Sequence, residues 1–147
     1  MPGGRQRRGR VMGAWGTGPL DNDAAGDLLD ELERARPEDL PDLLRSTFGR
    51  VIGVEGDLDG WETEQALAGA ALVAYCFAAQ RGHPLDVDED LEPIRLEVTE
   101  ELRHQAERTV RRALTPDGNE WYDLWTLSDG IDEARAELEP YLRVLSE

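Results

Sequence analysis

The stretch Ala66-Leu67-Ala68-Gly69-Ala70-Ala71-Leu72-Val73-Ala74-Tyr75-Cys76-Phe77-Ala78-Ala79 decides the fold. It is apolar on every side and built largely of Ala and Gly. A helix with that pattern is buried all round, with neighbours packed close to its backbone. It is too short to span a bilayer. Asp59 is placed to cap it, and Gly82 and Pro84 stop it, so the spacing predicts a central helix over about 60–81.

Helical periods lie on both sides. Asp21, Asn22 and Asp23 are N-cap residues, and the helix they open runs to about Arg36 with Leu28, Leu29 and Leu32 on one face. Pro41 opens a second helix carrying Leu43, Leu44 and Phe48. Ile94, Val98, Leu102, Ala106, Val110 and Ala113 recur every four or three residues, which predicts a helix over 94–114. Trp121, Leu124 and Trp125 fall in a short turn, and a last helix covers 129–145. No useful length alternates apolar with polar residues. The class is therefore all-α, about five helices around the Ala-rich one, preceded by an irregular Gly-rich segment.

The chain has 147 residues, enough for a core without disulfides or metals. Its formal charge is -16. Arg5, Arg7, Arg8 and Arg10 stand in an acid-free leader, so the remainder holds twelve Arg against 32 Asp plus Glu, or -20. Such a body repels nucleic-acid phosphates and anionic lipid, and it suits a basic protein partner or a cation. Residues 1–11 have no apolar period and are expected to be a disordered basic tail, or an upstream start with translation beginning at Met12. Residues 12–147 are expected to form one helical domain. Cys76 stands alone, which forbids an internal disulfide and fits a reducing cytoplasm.

Few residues can do chemistry. There is no lysine, hence no Schiff-base or P-loop lysine. Three serines, one cysteine and two histidines carry no nucleophile signature. Gly13, Gly16 and Gly18 do not spell the dinucleotide fingerprint; their plainer role is to turn the backbone around Trp15. The run from Glu55 to Gly60 copies half an EF-hand loop, but its twelfth position is Ala66. In the run starting at Asp86 the twelfth position is Glu97, but Leu91 and Pro93 break the loop. Glu101 and His104 form a single Glu-x-x-His pair where a di-metal bundle needs two. No metal and no cofactor are expected.

The segment Met12-Gly13-Ala14-Trp15-Gly16-Thr17-Gly18-Pro19-Leu20-Asp21-Asn22-Asp23 resembles the opening of the bacterial family known as domain of unknown function 4259. Asn119-Glu120-Trp121-Tyr122-Asp123-Leu124-Trp125 is a weaker match, where relatives usually read Ser-Glu-Leu before a Leu-Trp pair. The resemblance implies a small helical domain and no particular activity. Relatives also tend to carry an acid near Ala71, which this chain lacks.

Two functions follow as expectations. The first is a non-enzymatic acidic domain that binds a basic protein, in the manner of an immunity or inhibitor protein. The second is a ligand-binding protein or enzyme with a carboxylate-lined pocket near Asp21, Asp23 and Glu120. Binding residues on either reading are Trp15, Asp21, Asp23, Glu120, Trp121 and Trp125. The plainer roles are helix capping for the acids and stapling of loops to the core for the tryptophans. Trp15 is expected to be buried, with Trp125 or Trp61 nearby.

Overall fold

A computed structural model describes residues 16–86, 94 and 96–147. Among them are six α-helices and no β-strand: α1 (Asp23–Arg34), α2 (Leu40–Ile52), α3 (Gly60–Gln80), α4 (Glu100–Ala113), α5 (Glu120–Leu127) and α6 (Ile131–Leu145). The leader through Trp15 and the acid run 87–90 lie outside the described residues.

α3 is the central helix, and each of the other five packs against it. Its residues from Ala66 through Ala74 are buried without a break. Close approach explains the small residues. A Cβ on Gly69 would stand 3.1 Å from Leu44 Cδ2 and 3.3 Å from Phe48 Cε1, so α2 rests on the bare backbone there. Leu28 and Leu32 from α1, Leu102 and Val110 from α4, and Leu138 and Leu145 from α6 complete the core.

The caps follow the sequence closely. Asn22 Oδ1 accepts from the Ala25 N–H at 2.7 Å, so of the three candidate residues it is Asn22 that caps α1. Asp59 Oδ2 accepts from the Glu62 N–H at 2.9 Å and opens α3 as expected. α1 ends at Arg34, two residues short of the expected Arg36. Arg36 is extended because Pro37 follows it.

Two expectations need correction. α4 starts at Glu100 and not at residue 94. Ile94 and Val98 are buried as their spacing implied, but outside the helix. The Gln80 side chain holds the Val98 backbone at both ends, donating to its carbonyl (3.1 Å) and accepting from its N–H (2.9 Å). Thr99 then takes the cap, accepting from the Leu102 N–H. The second correction concerns Trp121, Leu124 and Trp125, which sit on a two-turn helix rather than a turn. Asn119 makes it one. Its Oδ1 caps the Tyr122 N–H, and its Nδ2 donates to the carbonyls of Ala113 and Thr115 at the end of α4.

No helix among the described residues is long and apolar enough to cross a membrane.

Candidate functional site

The N-termini of α3 and α5 lie side by side. The Leu58 N–H donates to the Gly118 carbonyl (2.8 Å), and the Glu120 N–H donates to the Leu58 carbonyl (3.2 Å). A side chain reinforces this short parallel pairing: Glu120 Oε1 accepts from the Gly60 N–H at 2.6 Å. A residue of α5 thus satisfies one of the free N–H groups at the start of α3, where a negative charge is also favoured by the helix dipole.

A cleft of about 600 Å3 opens where these two helix ends meet the loop before α1. Trp61, Trp121 and Trp125 surround it, Gly16, Thr17, Leu124 and Ser128 complete the wall, and Glu64 and Glu120 are its acids. Trp121 is 5% exposed and anchors the cleft in the core, while Trp61 on the rim is 47% exposed. Glu64 is half-buried. Burial pushes its carboxyl up to about 7, and the charge of Asp23 adds to the effect. A carboxyl poised near neutrality among aromatic walls is the feature that sets this cleft apart from an ordinary surface groove.

The loop forming the near rim is held by Asp21. The Asp21 N–H donates to the Gly18 carbonyl, and the Gly18 N–H donates back to Asp21 Oδ2, both at 3.1 Å. A Cβ on Gly16 or on Gly18 would come within 2.7 Å of that carboxylate oxygen. The two glycines therefore let the backbone wrap a carboxylate, and Gly16 and Thr17 reach the cleft as a result.

Of the six residues expected to bind, the structure brings Glu120, Trp121 and Trp125 together on the cleft lining. Asp21 stands behind the rim as its support. Asp23 is exposed on the first turn of α1 and reaches the site only through its charge on Glu64. Trp15 lies outside the described residues. Trp61, expected only as a neighbour of Trp15, joins the lining, and Glu64 went unnoticed in the sequence. The signal for Glu64 was weak: a carboxylate one turn after Trp61, at the entrance to an otherwise apolar helix.

The remaining candidates have structural partners. Arg103, rather than His104, is the hub of the α4 surface. It donates to the Leu145 carbonyl at the end of α6 and pairs with Glu100 (3.0 Å) and Glu107 (3.6 Å). His104 lies 3.8 Å from Glu107, and Glu101 pairs with Arg45. Cys76 is half-buried, and burial pushes its thiol up to about 11 against a hydrogen bond from the Leu96 backbone. It is a protonated, weakly nucleophilic thiol at neutral pH. Among the described residues no group of three or more His, Cys, Asp or Glu could hold a metal ion.

No curated protein and no solved structure matches this chain. The family model described as domain of unknown function (DUF4259) matches residues 13–137, a span that takes in the rim loop, α3 and α5, and the chain belongs to that family.

Proposed function

We propose that this protein binds a small organic ligand in the cleft between α3 and α5, without transforming it. The observation that carries the reading is the cleft itself: about 600 Å3, walled by three tryptophans and closed by two carboxylates. Ligand sites are concave and largely apolar, with a few polar groups that fix orientation. Binding is favoured over catalysis because the hydroxyls on the lining, Thr17 and Ser128, have no histidine beside them there. The lone Cys76 and the acidic body suit a cytoplasmic protein that avoids nucleic acid and membrane surfaces.

A panel of small compounds differing in charge and shape, read by thermal shift, tests this. Compounds that raise the melting temperature of the parent should lose that effect in Leu124→Trp, which fills the rim with a larger ring. A panel in which no compound stabilises the parent, or in which Leu124→Trp responds equally, contradicts the reading.

A second reading has its own observation. Leu127 is 83% exposed and Leu124 is 54% exposed on α5, and Leu124 shares the cleft lining with Trp61. Apolar side chains at one edge of a chain charged at -16 also suit a basic protein partner. An arginine-rich helical peptide should then bind with steep salt dependence and lose affinity to Leu127→Arg. Binding that ignores both salt and Leu127→Arg would remove this alternative.

A further inference from the structure

The cleft also carries information about what it holds. We propose that its ligand is an organic cation, an ammonium group on a small apolar or aromatic body. This rests on the cleft being a ligand site.

Three features of the lining point one way. Its charged residues are Glu64 and Glu120, with no arginine and no histidine among the described lining residues. Its aromatics are all indoles, the ring that attracts a cation most strongly through its face. Its wall is mostly apolar, so a guest must shed water. An anion would meet Glu64 and Glu120 with no cationic side chain among the described lining residues to receive it. A small hard metal ion needs several oxygen ligands at once. Here Glu120 already accepts the Gly60 N–H, and no three-ligand group exists among the described residues. A weakly hydrated organic cation meets none of these obstacles.

Glu64 is the natural counter-ion. Asp23 on α1 acts on it from one side and Glu120 on α5 shares its cleft. Glu137 on α6 lies behind the rim loop, its Oε1 3.3 Å from where a Gly18 Cβ would be. All three are acids, and among the described residues no cation lowers the Glu64 carboxyl. Its carboxyl is pushed up to about 7 in consequence of burial and of the Asp23 charge. A cation seated against it reverses the preference and favours the carboxylate. Binding below about pH 7 therefore releases a proton from Glu64 to solvent, and affinity rises with pH.

The test uses three aromatic probes titrated into the full chain by calorimetry at constant ionic strength: benzyltrimethylammonium, benzyl alcohol and phenylacetate. At pH 8 the quaternary cation should bind about tenfold or more tightly than the alcohol, and phenylacetate should bind most weakly. Between pH 8 and pH 6 the affinity of the cation, which does not itself titrate, should fall about tenfold as Glu64 takes up its proton. Glu64→Gln, with folding checked by circular dichroism, should bind the cation weakly and without that pH dependence. If the alcohol and phenylacetate bind as well as the cation, the cation assignment is wrong while the ligand site stands. If none of the three binds, both fall. A pH dependence that survives Glu64→Gln removes Glu64 as the counter-ion.

Discussion

Glu120 on α5 accepts a 2.6 Å hydrogen bond from the Gly60 N–H at the start of α3, sixty positions away in the chain. This bond ties the short helix to the central one and fixes the floor of the cleft. Glu120→Ala removes the acceptor and leaves a helix-end N–H without its partner. The expected loss is about 1 kcal/mol, the usual cost of a missing cap. Glu120→Gln keeps the acceptor and loses only the charge, so it should recover roughly half or more of that loss. Urea unfolding of the three proteins checks the order.

Stability should depend on Glu64 in a definite direction. Its carboxyl is raised from 4.5 to about 7 on folding, so the folded state favours the neutral acid. Between those two values the folded protein holds a proton that the unfolded chain has released, and stability falls as pH rises. The contribution is fully present below about 4.5 and gone above about 7. Solvent still reaches this side chain, so the loss is on the order of 1–2 kcal/mol rather than the full value of the shift. Glu64→Gln should match the parent near pH 4.5 and exceed it at pH 8. Melting curves at the two pH values read this, and a parent that gains over the variant as pH rises would contradict it.

Two helical glycines should respond oppositely to an added side chain. Gly69 has Leu44 and Phe48 within 3.3 Å of its missing Cβ, whereas nothing lies within 4 Å at Gly26. Gly69→Val should cost about 1–3 kcal/mol by forcing α2 away from α3. Gly26→Ala should gain about 0.5–1 kcal/mol from helix propensity alone. Chemical denaturation of both variants decides whether α3 is packed as tightly as described.

Asn119 is buried and makes three hydrogen bonds with one side chain. Asn119→Ser preserves an oxygen to cap Tyr122 but removes the amide that donates to Ala113 and Thr115. It should lose about 1–2 kcal/mol, and Asn119→Ala should lose more, because the cap goes too. Equal stability of the Ser variant and the parent would mean that the amide bonds contribute nothing.

The helical skeleton was legible because its signals are local. The apolar run from Ala66 to Ala79 announced a buried helix, and Asp59 and Pro37 marked boundaries the structure retains or nearly retains. The misread parts depend on distant partners. Ile94 and Val98 continue the period of α4, yet the Gln80 side chain claims the Val98 backbone and holds it outside the helix. The cleft was half legible. Glu120, Trp121 and Trp125 stand out as neighbours in sequence. Glu64 is one of 32 acids, and only the convergence of α1, α3 and α5 distinguishes it.

The claim that the α3–α5 cleft is a ligand site is tested most directly by the indole N–H signals of the tryptophans in a nitrogen–proton correlation spectrum. Titration with benzyltrimethylammonium at pH 8 should move the signals of Trp61, Trp121 and Trp125 together, along one saturating curve. The backbone amides where α2 meets α4, around Arg45 and Glu101, should stay in place. Indole signals that do not move, or movements scattered over both faces of the protein, would contradict the account.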